Sequence, residues 1–357
     1  MKNHLILFVC GHFDEYGGRP SGYMARLAAE IRAPIEVHNG GSLEDLQRLI
    51  DTVGRYRAIW WMPDIDNSVP KFAGSLKEKA PTSVLVISKN NRDGKYAPID
   101  LVGRMLKAHA HLMLAIQSGP PFGATILDPL GNAFVDDEQD IAKVAQALVA
   151  RTEELGRFTR VGSTQVGPNV PIPTDPEVDV FVGIVRGYAE TFHNLVHAAN
   201  PSRFLGNASY RCTRGGFPAF RTDDLLFMSR RNIDKRQIAA DGFVAIRAEN
   251  TPLIEYFGEA KPSVDAPIQR ELFRIYPQAR FMLHSHTYID GAPFTSHRVP
   301  CGALEEVSQI VGAVGEWAAG RPLLVNLRGH GCLAIARAAH QLQDLPFIGR
   351  PLPEVVA

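Results

Sequence analysis

The sequence predicts an α/β protein of two domains, and three observations point to it. The 357 residues exceed one typical domain, and at about 150 residues per domain the length suggests two. In the first half, short apolar runs alternate with amphipathic stretches at a spacing that fits a parallel sheet covered by helices on both faces. Between residues 161 and 177, Gly, Ser, Thr and Pro dominate and hydrophobic periodicity vanishes, which is the composition of a linker. The expected order is a Rossmann-like or flavodoxin-like parallel-sheet domain over residues 1–160, a linker over 161–177 and a second domain over 178–357.

Leu5 to Cys10 reads as a buried first strand, followed by a glycine-bearing loop from Gly11 to Gly22 and a helix from Tyr23 to Ile31. A strand, a glycine loop and a helix start are the parts of a phosphate cradle. The spacing is neither G-x-G-x-x-G nor a Walker loop, so dinucleotide binding does not follow. Strands are expected at Ile35–Val37, Ala58–Met62, Ser83–Ser88 and Leu112–Gln117, with helices at Leu43–Val53, Val69–Glu78 and Leu101–Ala110. Ligands of parallel sheets sit at the carboxyl ends of strands. Asp64, Asp66 and the run Lys89, Asn90, Asn91, Arg92 and Asp93 fall there. Asp128–Asn132 reads as a turn and Asp137–Leu155 as a long amphipathic helix that closes the domain. In the second half, Val178–Ala198 and Leu304–Ala319 are helical by periodicity, and Pro322–Leu327 is a strand running into a histidine-bearing turn.

Composition narrows the function classes. Hydrophobic content of 45% and charged content of 21% are those of a globular protein. The 38 basic and 38 acidic residues cancel, which argues against a nucleic-acid or anionic-membrane partner. Cys10, Cys212, Cys301 and Cys332 form no C-x-x-C pair, so neither a zinc ribbon nor a disulfide framework is indicated and a reducing compartment is expected. The apolar run after Met1 is too short for a signal peptide, and no run approaches about 18 apolar residues. A soluble, cytoplasmic protein with no membrane partner is the expectation.

The chemistry gathers in the second half. Phe281-Met282-Leu283-His284-Ser285-His286 is an apolar run ending in two histidines two residues apart, and on a strand such residues share a face. Both imidazoles then reach one point, a metal-site geometry. Three further motifs lie in order around this pair: Gly206-Asn207-Ala208-Ser209, Pro262-Ser263-Val264-Asp265 nineteen residues before His284, and His330-Gly331 after a strand.

In this order the four motifs resemble the class II aldolase/adducin family over roughly residues 178–357. The resemblance implies an α/β/α domain around a mainly antiparallel sheet. It also implies a divalent metal, usually zinc, held by His284, His286 and His330. Three neutral imidazoles suit zinc and leave a fourth position for substrate. Asp265 stands where the sugar-phosphate aldolases have a glutamate acid/base and ribulose-phosphate epimerase an aspartate, so it is expected to be a ligand or a metal-adjacent base. The stretch from His286 to His330 is short for the family, and its acid/base candidates are Tyr288, Asp290, His297, Glu305 and Glu306. Glu305 is taken as the second catalytic residue.

The family's phosphate pocket corresponds to Asn207, Ser229, Arg230 and Ser263. Val264 replaces a serine of that pocket and loses a hydroxyl donor, whereas Arg230 offers a planar two-point fork to an anion. The implied function is a metal-dependent lyase: aldolase-type carbon–carbon cleavage, through a metal-stabilised enediolate, of a small hydroxylated carbonyl compound carrying phosphate or carboxylate. Epimerisation, decarboxylation and a non-catalytic, adducin-like scaffold are the alternatives. Family members are tetramers with active sites between subunits, so the resemblance implies a homo-oligomer. No role is implied for the first domain.

Overall fold

A computed structural model describes residues 3–65, 73–118, 122–172, 174–193, 199–211, 225–318 and 320–355. Asp66 and Cys212 lie outside them, as do the start of the expected Val69–Glu78 helix and the ends of the Val178–Ala198 and Leu304–Ala319 helices. The chain divides into two compact units, one of residues Met1–Arg157 with Leu352–Ala357, the other of Phe158–Pro351. Among the described residues no helix is long and apolar enough to cross a membrane.

The first unit contains, in order, β1 (Asn3–Asp14), α1 (Gly22–Glu30), β2 (Ile35–Ser42), α2 (Leu43–Thr52), β3 (Tyr56–Ile65), α3 (Ala73–Lys79), β4 (Val84–Asn90), α4 (Pro98–Ala108), β5 (Leu112–Gln117), β6 (Gly123–Leu127), β7 (Asn132–Glu138) and α5 (Ile141–Leu155). The strands β2-β1-β3-β4-β5 pair in parallel in that order, the doubly wound pattern expected of the alternating apolar runs. Strands covered on both faces are apolar throughout, and β3 accordingly buries Tyr56, Ala58, Ile59, Trp60, Trp61 and Met62. The Trp60 indole N–H donates to Thr152 Oγ1 of α5 at 3.2 Å, so its one polar atom is satisfied inside the core. Ser42 and Asp45 close a reciprocal capping box at the start of α2.

Two parts of this unit differ from the expectation. Beyond β5 the chain turns antiparallel through β6 and β7, and Glu354–Val355 of the tail adds a short parallel strand beside β7. Residues 11–14 continue β1, which shortens the loop expected from Gly11.

The second unit begins with β8 (Ser163–Gly167), which lies inside the expected linker. There β8 pairs in parallel with β12 at the sheet edge, since a polar, Ser/Thr-containing strand with no apolar alternation can still complete an edge ladder. Then follow α6 (Pro176–Gly187), α7 (Ala189–His193), β9 (Asn207–Arg211), β10 (Leu225–Ser229), β11 (Phe243–Arg247), β12 (Ile254–Phe257), α8 (Ala266–Ile275), β13 (Phe281–Ser285), β14 (Tyr288–Ile289), α9 (Glu305–Val314), β15 (Leu323–Leu327) and β16 (Gly331–Ala336). The sheet order is β15-β16-β13-β9-β10-β11-β12-β8, antiparallel everywhere except at β12–β8. One face carries an aromatic core in which Tyr210 stacks on Phe227 at 5.0 Å between ring centres. The other face is packed by Ile268, Leu272 and Phe273 of α8 and by Val307 and Ile310 of α9.

Candidate metal centre

Three strands meet where the polar side chains converge. In the ladder His284 of β13 stands opposite Asn207 of β9, and Ser285 opposite Cys332 of β16. The β15–β16 hairpin turns through Arg328, Gly329 and His330, with the His330 N–H closing on Leu327 O at 2.9 Å. Gly331, which follows, has no room for a side chain: a Cβ there would fall 2.0 Å from Ser285 O. Gly206, at φ +71°, lets the chain enter β9 with a would-be Cβ only 2.7 Å from His284 O. These close approaches bring His284, His286 and His330 together, with ring centres 4.7 to 5.1 Å apart and one ligand nitrogen of each within 4.8 Å of the others.

The hydrogen bonds fix which nitrogens face inward. His284 Nδ1 lies 2.8 Å from Cys332 O, and a carbonyl holds no proton, so Nδ1 carries one and Nε2 presents a lone pair. His330 Nδ1 lies 2.8 Å from Glu306 Oε1, which in the same way leaves Nε2 free. Among the described residues, His284 Nε2, His286 Nδ1 and His330 Nε2 are buried without any hydrogen-bond partner. Three orphaned imidazole nitrogens at one point are costly unless something binds them. Two bonds of about 2.1 Å at a tetrahedral angle place their nitrogens about 3.4 Å apart, so each pair, now within 4.8 Å, closes by about 1.4 Å at most. The residues therefore fit a divalent metal of the zinc type.

Burial, reinforced by the His330 charge, holds the His284 pKa down to about 4. Burial likewise pushes His286 well below the ordinary histidine range. Burial also opposes a charge on His330, but the Glu306 carboxylate and its hydrogen bond outweigh it and raise that pKa. Two of the imidazoles are thus neutral at pH 7, and the third is made more basic by its carboxylate partner.

Asp265 is buried beside them, its Oδ2 3.9 Å from His284 Nε2. It precedes α8 but does not cap it with its side chain. Its neighbours are arranged two against two: Asn207 and Ser209 share one face of β9, while Asp265 and Gln269 lie one helical turn apart. Ser209 Oγ donates to Gln269 Oε1, Gln269 Nε2 donates to Asn207 Oδ1, and Asn207 Nδ2 donates to Asp265 Oδ2 at 2.6 Å. Every donor in this chain points toward the carboxylate. Cys301 Sγ, 3.5 Å from Asp265 Oδ1, donates from the other side, and burial keeps that thiol protonated by raising its pKa.

The other residues singled out from the sequence are distributed unevenly. Ser229 Oγ accepts from Ala208 N at 3.2 Å, and Ser263 Oγ accepts from Asp265 N at 3.4 Å, so both line the backbone around Asn207 and Asp265. Arg230 is held by its backbone, with N–H donating to Gly242 O at 2.9 Å and a bridge to Pro262. The neighbouring Arg231 lies in the field of Asp265.

Glu305 and Glu306 are placed differently: the Glu305 carboxylate accepts from Thr159 N at 3.0 and 3.2 Å, whereas Glu306 is 3% exposed and accepts from His330. Consecutive helical residues point about 100° apart, so only one of the two faces the histidines. Missed from the sequence altogether was Lys235, 1% exposed in a 3₁₀ turn, whose Nζ donates to Leu205 O at 2.9 Å.

Residues 187–292 match the family model of the Class II Aldolase and Adducin N-terminal domain. This stretch is similar to that family over about a third of the chain. It contains His284, His286 and Asp265, while His330 and Glu306 lie beyond it. A methylthioribulose-1-phosphate dehydratase of Picosynechococcus sp. is 26% identical over 150 residues, which is 38% of this chain and 70% of that protein. Among solved structures, the L-fuculose-1-phosphate aldolase of Thermus thermophilus is 17% identical with a TM-score of 0.30, covering 47% of this chain and 82% of its own. An aldolase II superfamily protein of Pseudomonas syringae is 16% identical with a TM-score of 0.33, covering 48% of this chain and 71% of its own. In the second unit the donor set and the buried carboxylate lie together beside strands β9, β13 and β16.

Proposed function

We propose that the second unit is a divalent-metal lyase, most simply zinc-dependent, that cleaves a carbon–carbon bond in a small hydroxylated carbonyl compound bearing an anionic group. The observation that carries this reading is the convergence of three buried, partnerless imidazole nitrogens beside the Asp265 carboxylate. A scaffold domain needs no such set, and three unsatisfied buried nitrogens would only lower its stability. When bound, the cation supplies Lewis-acid polarisation of a substrate oxygen.

The protein's own residues supply the rest. His284 and His330 are oriented by Cys332 O and Glu306, so their positions are set before anything binds. Asp265 Oδ2 is the group placed to take a proton from a substrate hydroxyl and return it to carbon. Asn207 and Cys301 hold that carboxylate by donating one hydrogen bond to each oxygen, leaving lone pairs for substrate. Glu306 acts through His330 and is a positioning residue.

A second reading, dehydration, is favoured by the dehydratase relative. One experiment separates the two: zinc-loaded protein is incubated with a panel of ketose 1-phosphates and the products are weighed by mass spectrometry. Two fragments summing to the substrate support cleavage, and loss of one water supports dehydration. No turnover of any member by protein that holds stoichiometric zinc would contradict the sugar-phosphate reading.

A further inference from the structure

Two polar groups stand at the carboxyl ends of the parallel strands, the glycine loop after β1 and the Lys89–Asp93 run at the end of β4, and the lyase reading gives neither a role. The glycine loop is filled by its own chain. Asp14 Oδ1 accepts from the backbone N–H of Gly18 at 2.9 Å and of Tyr16 at 2.7 Å, and these bonds hold its carboxyl below the usual carboxylate range. A nest of backbone donors that could receive an anion thus already holds one.

The end of β4 has the opposite character. Three cations surround the Tyr96 ring: Arg104 Cζ lies 4.5 Å from its centre, Lys89 Nζ 5.0 Å and Lys95 Nζ 5.7 Å. Their charges hold the Tyr96 phenol below the ordinary tyrosine range, Lys89 most strongly. Among the described side chains no carboxylate forms an ion pair with any of the three. Asp100, on α4, is turned to its own helix start, where Oδ2 accepts from Ala97 N at 3.1 Å. Like charges repel, and an aromatic ring repays only about 0.5–1 kcal/mol per exposed cation. An anion would satisfy all three at once.

The loop that carries Tyr96 is fixed. Asn91, 8% exposed, accepts from Tyr96 N at 2.8 Å and donates through Nδ2 to Tyr96 O at 3.2 Å, while its own N–H donates to Ile116 O of β5 at 2.7 Å. Lys89 stands on β4 and Arg104 on α4, so two of the cations rise from regular elements. Beside the ring lies a cavity of about 170 Å³ lined by Asn91, Tyr96, Leu101, Gln117, Thr125 and Asp136. Thr125 Oγ1 donates to Asp136 Oδ1 at 3.0 Å, which leaves the second oxygen of that carboxylate for a donor from elsewhere. Open parallel sheets bind their ligands at this end of the strands.

We propose that the carboxyl end of β4 in the first unit binds a small phosphate ester, with Lys89, Lys95 and Arg104 on the phosphate and the uncharged part of the molecule in the cavity beside Tyr96. A guanidinium fork takes two phosphate oxygens and an ammonium takes a third. Asn91, Gln117 and Asp136 then meet hydroxyl or amino groups of the ester. The inference is independent of the lyase reading, since it concerns the other unit and none of its residues is a histidine of the metal centre.

The test is protection of Tyr96 from nitration by tetranitromethane in the full chain, read peptide by peptide by mass spectrometry, so that binding elsewhere does not enter. Tyr16, 95% exposed in the same unit, is the internal reference. Inorganic phosphate is expected to slow nitration of Tyr96 by about threefold or more and leave Tyr16 unchanged, whereas acetate at equal ionic strength leaves both unchanged. Among AMP, ribose 5-phosphate, glycerol 3-phosphate and phosphoserine, at least one should protect at a concentration about tenfold below that of inorganic phosphate. Lys89→Met and Arg104→Met should each raise the half-protecting concentration by about threefold and together by about tenfold. Lys143→Met, which removes a cation paired with Glu138 at 3.6 Å, should not change it.

Protection of neither tyrosine, or of both alike, overturns the proposal. So does a folded Lys89→Met/Arg104→Met variant protected at the wild-type concentration, or acetate that protects as well as phosphate. No ester better than inorganic phosphate removes the cavity from the site. An oligothymidylate that protects Tyr96 at a lower concentration than every ester overturns the small-molecule assignment in favour of nucleic acid.

Discussion

Glu306 Oε1 accepts the Nδ1–H of His330 at 2.8 Å, with both side chains buried. The pair ties α9 to the β15–β16 turn and leaves His330 Nε2 pointing at the other two histidines. A carboxylate behind a metal-binding imidazole sets its tautomer and raises its basicity. Glu306→Gln keeps the size but weakens the acceptor, and metal affinity should fall roughly 10- to 100-fold. Glu305→Gln should leave it unchanged, and a competition titration with a chromophoric chelator distinguishes the two.

The turn that carries His330 depends on Gly331. A methyl group added there would meet Ser285 O at 2.0 Å, and backbone cannot swing away as a flexible side chain does. Gly331→Ala is expected to destabilise the protein by roughly 2 kcal/mol or more and to displace His330. Denaturant unfolding measures the first effect and zinc content the second. Gly291→Ala, with open space around its Cβ, is the control for glycine substitution at positive φ.

The buried histidines make the metal-free protein sensitive to acid. His284 has a folded-state pKa of about 4 against an unfolded value near 6.5, so it binds its proton more readily when unfolded. Stability is fully present above about pH 6.5 and is lost as the pH falls through 6.5 toward 4. The two values differ by about 2.5 units, so the contribution of this one residue is on the order of 3 kcal/mol. Urea unfolding of metal-free protein between pH 7.5 and 4.5 should show a steeper loss for wild type than for His284→Gln. Equal slopes would show that His284 is not held neutral by burial.

Much of this was legible in the chain because it rests on local rules. Apolar runs such as Leu5–Cys10 and Ala58–Met62 are long enough to declare buried strands, and His284 and His286 share a face by the period of a strand. Ser163–Gly167 was not legible, since an edge strand can be polar and Gly-rich and is specified by its neighbour β12. Nor was the β6–β7 extension, where an antiparallel turn follows an otherwise parallel pattern. The burial of Glu306 was legible: it lies four residues before Ile310 and next to Val307, on the buried face of α9. Lys235 carries no such signal. A lysine in a short turn reads as solvent-exposed, and its burial is dictated by the distant Leu205 carbonyl that it reaches.

The lyase reading of the second unit depends on whether the three histidines hold a metal. Full-length protein, purified without chelators and dialysed against trace zinc, should contain one equivalent of zinc per chain by elemental mass spectrometry. His284→Ala and His330→Ala should each lose it while retaining the wild-type circular dichroism spectrum. Wild-type protein that binds no divalent metal, or a folded His284→Ala/His330→Ala double variant that binds it as well as wild type, would contradict the central claim.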